Sequence, residues 1–351
     1  MPRKISALQP HPKNIKNVHL AFSCLTPSSQ PPTTAFRPPP DVVLVPAHIT
    51  MGLVNCHDPE PMIARFQRAL EGFRTSKAIF RVIASLPSPQ STPRKSRPPP
   101  KTVYILDSSF NPPTLAHAHI ILSALQASTP SSTPPQVLLL LAIQNADKAA
   151  QPATFEKRLA MMQLFAADVL ADISSVSQSD SKTQQEQDKI GIDIGLTTLP
   201  YFADKYQHIS PSEQYPLEET EQVHLIGYDT LVRCFDTKYY PPQYTLGPLQ
   251  SFLKKHKLRV AYRTDDIWGD KAAQDKFLRD VGEGSKVSVG GLKEWVTDKR
   301  IEMVEGMEDS QEVISSTKAR EASRNEDIET LARMVTPSVQ RFILDHRLYM
   351  D

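Results

Sequence analysis

Cysteine is scarce in this chain, with only Cys24, Cys56 and Cys234 among 351 residues. These three form no CxxC pair, which argues against a disulfide framework and a zinc ribbon and is typical of a reducing compartment. No stretch approaches the roughly 18 consecutive apolar residues that a membrane-spanning helix needs. The longest, at 137–143, has the length of a strand. The sequence therefore excludes a transmembrane protein.

Targeting signals are also weak. The first residues, MPRKISALQPHPK, have no apolar core of the kind that a secretory signal requires. Acidic residues are absent before Asp41, as in mitochondrial presequences, but prolines at positions 10, 12, 27, 31 and 32 oppose the amphipathic helix that such a presequence forms. We expect a cytoplasmic or nuclear location, with mitochondrial targeting as the alternative.

Prolines and charges divide the chain near residue 100. Residues 1–100 hold 18 of the 31 prolines and carry 13 Lys/Arg against 4 Asp/Glu, a net charge of +9. Residues 101–351 carry 27 Lys/Arg against 35 Asp/Glu, a net charge of −8. The sequence thus predicts a basic, proline-rich leader before a mildly acidic body. The leader lacks interleaved aromatic residues, so we expect no nucleic-acid partner.

The leader contains two different segments. Residues 1–57 show no helical or alternating period, which predicts a disordered arm whose protein partners the sequence does not identify. In 58–88, apolar residues recur at helical spacing, which predicts an amphipathic helix with a break near Gly72. Residues 89–100 form a second proline-rich linker.

The body, 101–351, alternates strand-like and helical patterns. We predict strands at 102–106, 136–143, 190–196, 222–227, 258–262 and 301–304, and helices at 114–126, 155–170, 228–235, 316–324 and in the final TPSVQRFILDHRLY. A polar, low-complexity stretch at 172–188 predicts a solvated insertion. This alternation predicts an α/β fold, a parallel sheet flanked by helices on both faces.

The first motif with chemical content is VYILDSSFNPPTLAHAHI, residues 103–120. It predicts a strand, a short polar loop and a helix that two prolines open. Thr114 and His117 would project from one side of this helix near its positive end, where a phosphate chain is stabilised. Alternatively, Thr114 is an ordinary helix cap and His117 a structural histidine. No Walker A or GxGxxG motif occurs in the chain.

The second motif is VISSTKAREA, residues 313–322. Ser315, Ser316 and Thr317 are followed by Lys318 and Arg320, so hydroxyls, helix N–H groups and two cations converge. The pattern predicts a second anion site, and its alternative is a serine-capped surface helix.

Together the two motifs resemble a known family. SSFNPPTLAH is similar to the GSFNPxTxxH signature, and ISSTKAR to the ISSTxxR signature, of nicotinamide mononucleotide adenylyltransferases, in the nucleotidyltransferase superfamily named for its HxGH motif. Residues 226–229 (IGYD) are similar to the family's GxD segment, and the last helix to its final helix. The resemblance covers most of 101–351 and implies a Rossmann-like nucleotidyltransferase fold.

The resemblance also implies an activity: the 5′-phosphate of nicotinamide mononucleotide attacks the α-phosphorus of ATP, giving NAD and pyrophosphate. Mg²⁺ is implied with ATP. Implied catalytic contacts come from His117, Thr114 and Arg320. Implied ATP contacts come from Ser108, Ser109, Phe110, Gly227, Asp229, Ser315, Ser316, Thr317 and Arg320, and contacts with the acceptor nucleotide from Lys148 and Tyr240.

The chain departs from the family pattern at three points. Ser108 and Ala116 stand where glycines are usual, and the tryptophan that stacks the acceptor base is not evident. Tyr240 either supplies that ring or is an ordinary buried aromatic residue. Two alternatives therefore stay open: a nucleotidyltransferase for another phosphate acceptor, such as a cytidylyltransferase or phosphopantetheine adenylyltransferase, and a non-catalytic ATP or NAD sensor. The sequence does not separate nicotinamide from nicotinate mononucleotide.

Overall fold

Seven strands form one sheet in the computed structural model, which describes residues 59–87, 99–128, 133–144, 153–176, 190–209, 212, 215, 220–263, 268–306 and 313–350. The strands are β1 (Phe80–Leu86), β2 (Thr102–Asp107), β3 (Gln136–Ala142), β4 (Gly191–Thr197), β5 (Glu221–Gly227), β6 (Lys257–Ala261) and β7 (Ile301–Val304). The α-helices in this description are α1 (Pro59–Thr75), α2 (Leu115–Gln126), α3 (Phe155–Val176), α4 (Phe202–Ile209), α5 (Tyr228–Cys234), α6 (Gly247–Leu253), α7 (Lys271–Glu283), α8 (Glu294–Thr297), α9 (Ser316–Arg324), α10 (Ile328–Met334) and α11 (Pro337–Asp345). The predicted arm at 1–57, most of the linker at 89–100 and Lys148 lie outside the described residues.

The strand order locates a ligand site. The order is β1-β4-β3-β2-β5-β6-β7, with β1 antiparallel to β4 and every other pair parallel. From β4 to β7 this is the order of a doubly wound sheet, and its direction of winding reverses between β2 and β5. Ligands of such sheets bind outside the carboxyl ends of the strands at this reversal. The segments that follow β2 and β5 are therefore the first place to look for function.

Both faces of the sheet are buried. Along β2, Tyr104 and Leu106 face one core, whereas Val103 and Ile105 face another. The first core includes buried side chains from α1, α2, α3 and the C-terminal helices, and the second includes Ile209 of α4. A parallel sheet that is covered on both faces has strands that are almost continuously apolar, as VYIL and VLLLL are here.

The fold confirms the predicted α/β class and corrects one element. The predicted helix over 58–88 is wrong in its second half, because α1 ends at Thr75 and Phe80–Leu86 is strand β1. Phe73 and Phe80 are seven residues apart, which fits a helical period by coincidence. The sheet is therefore mixed at this edge, and the described residues all lie in one compact unit, Asn55–Asp351.

Two further sequence predictions concern the surface. The first five residues of the predicted insertion at 172–188 continue α3 to Val176, and the remaining residues, 177–188, lie outside the described residues. In the part of the chain that the structure describes, no helix is long and apolar enough to cross a membrane.

Candidate functional site

A pocket of about 650 Å³ opens at the carboxyl ends of β2 and β5. Ser108, Ser109 and Asn111 of the first motif line it, and so does Arg320 of the second. Asp229, from the start of α5, lines it as well. The two sequence motifs, about 200 residues apart in the chain, therefore contribute to one pocket.

Direct hydrogen bonds join the two motifs. Arg320 donates from Nη1 to the carbonyl oxygen of Asn111 at 2.7 Å, and Ser316 donates from Oγ to the carbonyl oxygen of Pro112 at 2.8 Å. A second Arg320 nitrogen, Nη2, lies 3.2 Å from Oγ1 of Thr317. The start of α9 is thus bonded to the loop after β2, which brings the two predicted anion sites together.

The second motif is also a capped helix. Ser315 is the N-cap of α9, and its Oγ accepts from the N–H of Lys318 at 3.3 Å. The N–H groups of Ser316 and Thr317 belong to the first turn, where a helix has no acceptor of its own. The serine cap and an anion site are therefore compatible, because the cap leaves these donors available to a ligand.

His117 is held by the cap of α2. Its Nδ1 accepts from the N–H of Thr114 at 3.0 Å and lies 2.8 Å from Oγ1 of Thr114, while its Nε2 lies 3.0 Å from Oγ of Ser108. Because Nδ1 accepts a hydrogen bond, the neutral ring carries its proton on Nε2. Desolvation, followed by the charge of Arg263, lowers the pKa of His117 to about 4. The ring is therefore a neutral donor that is directed at the loop beside the pocket.

The loop between β2 and α2 is anchored in the core. Phe110 is fully buried, has φ of 44° and places its ring 5.4 Å from that of His117. Bulky residues rarely adopt such a backbone conformation. Asn111 is also buried, and its Oδ1 accepts from the hydroxyl of Tyr349 at 2.8 Å. The Phe110 side chain thus supports the loop from behind, and any ligand contact of this residue belongs to its backbone.

Asp229 is held by two arginines. Its Oδ1 accepts from Nη1 of Arg263 at 2.9 Å, and its Oδ2 lies 3.4 Å from Nη2 of Arg233. Gly227 leaves space for this carboxylate, because a Cβ at position 227 would lie 2.7 Å from Oδ1 of Asp229. The Asp229 carboxylate can therefore occupy this position only because residue 227, at the end of β5, has no side chain.

Two buried cations of the pocket were not predicted from the sequence. Arg158 of α3 is buried, donates from Nε to the carbonyl oxygen of Ala153 at 2.8 Å and stacks over Phe155. Lys205 of α4 is buried and forms an ion pair with Asp107. Both carried a signal in the sequence, since Lys205 shares the apolar side of FADKYQHI and Arg158 lies at helical spacing between Phe155 and Met162.

The lining of the pocket is locally positive. Among the residues that the structure describes, its charged side chains are four cations, Arg158, Lys205, Arg233 and Arg320, and two carboxylates, Asp107 and Asp229. Predicted Lys148 lies outside the described residues. A concave site with this excess of cations suits anionic ligands, although the body as a whole is acidic.

Aromatic side chains also line the pocket. Tyr240 is among them, and its buried hydroxyl donates to the carbonyl oxygen of Cys234 at 2.6 Å. Trp268 and Trp295 pack instead against Tyr228 and Phe235, and neither lines the pocket. Tyr240 is thus both a buried structural residue and a pocket residue, which leaves both of its predicted roles compatible with the geometry.

Three histidines make stability sensitive to acid. Burial lowers the pKa of His117 and of His256 to about 4 and that of His224 well below its usual 6.5. The unfolded chain binds protons at these rings below pH 6.5, and the folded chain does not. The free energy of unfolding should therefore fall as pH drops from about 6.5 towards 4, by up to about 1.4 kcal/mol per pH unit for each ring.

Urea unfolding at a series of pH values measures this slope. The His224→Gln variant serves as a control, and its slope should be smaller by the contribution of one histidine. A free energy of unfolding that is flat between about pH 6.5 and 5 in the wild type would contradict the assignment of neutral, buried histidines.

Comparison with known proteins identifies relatives. The chain matches no protein-family model. A Schizosaccharomyces pombe protein described as "Putative nicotinamide mononucleotide adenylyltransferase" is 30% identical over 244 residues, which are 69% of this chain and 84% of the relative.

Solved structures that match part of the chain include two of Plasmodium falciparum nicotinic acid mononucleotide adenylyltransferase. The one complexed with NaAD has a TM-score of 0.42 at 15% identity and covers 71% of this chain and 97% of its own. The one complexed with APC has a TM-score of 0.41 at 14% identity and covers 71% of this chain and 96% of its own. The extent and identity of the match to the S. pombe relative, rather than these structures, assign the family. The chain belongs to the nicotinamide mononucleotide adenylyltransferase family of nucleotidyltransferases.

Proposed function

We propose that the protein transfers AMP from ATP to nicotinamide mononucleotide, forming NAD and pyrophosphate. The main support is one observation. The two predicted anion-binding motifs are hydrogen-bonded to each other beside a cation-lined pocket, at the reversal point of the sheet. The substrates of this reaction are both phosphate esters, and pockets of this kind bind nucleotides in doubly wound sheets.

The reaction requires positioning rather than a protein nucleophile. The 5′-phosphate of the acceptor attacks the α-phosphorus of ATP in line with the leaving pyrophosphate. A bond forms between a phosphate oxygen of the acceptor and the α-phosphorus, while the bond from the α-phosphorus to the oxygen that bridges to the β-phosphorus breaks. Cys234 lines the pocket, but burial raises the pKa of its thiol to about 12, so it stays protonated near neutral pH. The residues of the site need only hold two anions in place and stabilise the charge that develops.

Donors for the phosphates of ATP come from both motifs. The Nε2 proton of His117 points towards Ser108, where a phosphate oxygen can take the place of the serine hydroxyl as acceptor. Thr114 fixes the orientation of this ring through its N–H. Ser316, Thr317 and Arg320 then hold the leaving pyrophosphate, because helix N–H groups and a guanidinium are strong donors to phosphate oxygens.

Buried cations add to this stabilisation. Arg158 and Arg320 both line the pocket. Burial, and to a smaller extent the charge of Arg320, lowers the pKa of Arg158. Two cations in a partly desolvated site stabilise the negative charge that develops on pyrophosphate more than they would in water.

The remaining assignments complete the two substrate sites. Asp229, held by Arg263 and accommodated by Gly227, accepts hydrogen bonds from the hydroxyls of the adenosine ribose. Tyr240, one of the aromatic side chains that line the pocket, packs against the pyridine ring of the acceptor. Lys148 is proposed to contact the acceptor phosphate.

Magnesium enters this proposal with ATP. The described residues contain no group of three or more His, Cys, Asp or Glu side chains that could hold a metal ion. The pocket carboxylates Asp107 and Asp229 each pair with a cation. These residues fit an ion that is held mainly by the substrate's phosphates and by water. When bound, Mg²⁺ neutralises part of the phosphate charge.

A panel of acceptors tests the proposal. The purified protein is incubated with ATP, Mg²⁺ and, separately, nicotinamide mononucleotide, nicotinate mononucleotide and other phosphate acceptors. NAD formation is the expected result. Product with only another acceptor would favour a different nucleotidyltransferase, and ATP binding without any product would favour a sensor.

Gly227→Ala is expected to weaken ATP binding. The new Cβ would press on Oδ1 of Asp229 at 2.7 Å and displace the carboxylate. Because small displacements in a site carry large rate costs, kcat/KM for ATP should fall roughly tenfold to a hundredfold. Gly72→Ala is the control, since nothing lies within 4 Å of a Cβ there. Equal kinetics of the two variants would contradict the role of Asp229.

A further inference from the structure

A buried ion pair inside the pocket calls for an explanation. Nζ of Lys205 lies 2.5 Å from Oδ2 of Asp107, and these side chains are 7% and 16% exposed. Removing two charges from water is costly, and replacing such pairs with apolar residues is often neutral or stabilising. Stability alone therefore does not account for this pair, which lines the pocket through both of its members.

An aromatic side chain of the pocket lies close to this pair. Phe202 precedes Lys205 by three residues on α4, so the two lie on one side of that helix, and both line the pocket. Cys234 and Tyr240 line the same pocket as this pair. The carbonyl oxygen of Cys234 in turn accepts from Tyr240. A ligand ring that packs against Phe202 would bring its substituent to Asp107 and Lys205.

The chemistry of the pair suits one kind of substituent. A lysine ammonium only donates hydrogen bonds, and a carboxylate only accepts them. A carboxamide has one carbonyl oxygen to accept from Lys205 and an NH₂ group to donate to Asp107. A carboxylate also attracts Lys205, but it is repelled by Asp107 and loses its own water. The pair therefore matches a neutral carboxamide and opposes an anionic carboxylate.

We propose that Asp107 and Lys205 recognise the pyridine substituent of the acceptor and select nicotinamide mononucleotide over nicotinate mononucleotide. This inference rests on the proposed function and adds to it the residues that determine acceptor specificity. Lys205 supplies the attraction, and Asp107 supplies the repulsion that discriminates between the two acceptors.

The test compares kcat/KM for the two acceptors at saturating ATP in the wild type, Asp107→Asn, Lys205→Met and the double variant. We expect the wild type to favour the carboxamide by at least about tenfold, because the carboxylate of nicotinate mononucleotide would lie beside the carboxylate of Asp107. Asp107→Asn should shift this ratio towards the carboxylate by roughly tenfold or more. Lys205→Met should reduce use of the carboxylate more than that of the carboxamide, and the double variant should lose most discrimination.

Two controls separate specificity from folding. Glu302→Gln removes the carboxylate of another ion pair, to Arg259, that does not line the pocket, so it should leave the ratio of acceptors unchanged. Thermal unfolding of each variant reports its stability. A single variant leaves one charge buried without its partner, which can prevent folding, whereas the double variant removes both charges and keeps the test usable.

The inference and the proposed function fail in different ways. If Asp107→Asn changes both acceptors by the same factor, or if the wild type favours the carboxylate, the specificity assignment is overturned while the activity stands. If the wild type forms product from neither acceptor, the proposed function fails. Calorimetry of each mononucleotide without ATP then tests the specificity through the ratio of the two affinities. If neither mononucleotide binds, the specificity assignment and the proposed function are both overturned.

Discussion

Replacing His117 with alanine should lower the turnover of NAD formation at least about 100-fold, which corresponds to about 2.7 kcal/mol of activation free energy. The side chain provides a neutral Nε2 donor beside Ser108, and its orientation is fixed by the N–H of Thr114. Removing one such preoriented donor costs far more in a site than in water. Steady-state kinetics with nicotinamide mononucleotide as acceptor measure the loss.

Two further substitutions separate the donor from the helix cap. The amide oxygen of His117→Asn can replace Nδ1 as the acceptor for Thr114, but this variant has no donor at the position of Nε2. His117→Gln places an amide nitrogen near that position. We expect the glutamine variant to retain more activity than the asparagine variant, and both to keep the thermal unfolding midpoint close to that of the wild type. Wild-type turnover in His117→Ala would show that the ring is only a structural cap.

Arg320→Ala should raise the KM for ATP and slow turnover, with a combined loss in kcat/KM of about 100-fold. The guanidinium lines the pocket and also holds the carbonyl oxygen of Asn111 at 2.7 Å, so its removal takes away a phosphate contact and loosens the loop. Initial rates at varied ATP concentrations measure both effects.

A matched control lies on the same helix. Arg324 is exposed at the end of α9, one turn after Arg320, and Arg324→Ala should leave the kinetics unchanged. Arg320→Lys should recover part of the lost activity, because it keeps the charge but not the planar fork of donors. Kinetics of Arg320→Ala close to those of the wild type would favour the serine-capped surface helix as the whole explanation of the second motif.

The parts of the fold that local signals control could be predicted from the sequence. The strand that ends in Asp107, the helix that follows Thr114 and the helix capped by Ser315 all lie within a few residues of their predicted bounds. Each follows from an apolar run or a cap that is readable within about ten residues. The contact between the two motifs was expected only from the family resemblance.

The parts that depend on distant contacts could not be predicted. Strand β1 exists because it pairs with β4, more than 100 residues away, and its own pattern also fitted a helix. Arg158 and Arg263 reach the site from α3 and from the segment after β6, and neither segment by itself indicates that its arginine lies at this site. Their roles follow from topology, which places them near the reversal between β2 and β5.

Charge illustrates the same limit. The body carries a net charge of −8, which by itself would disfavour two phosphorylated substrates. In the described part of the chain, four cations line one pocket, and two of them pair with carboxylates. The net charge of the body therefore does not predict the charge of its pocket, because the electrostatic potential at a site depends on the residues that line it.

The most direct measurement follows the phosphorus atoms of ATP. The protein is incubated with nicotinamide mononucleotide, Mg²⁺ and ATP that is radiolabelled at either the α- or the γ-phosphorus. Adenylyl transfer predicts that the α label appears in NAD and the γ label in pyrophosphate. Transfer of the γ label to the acceptor, or absence of the α label from any dinucleotide, would contradict the proposed reaction.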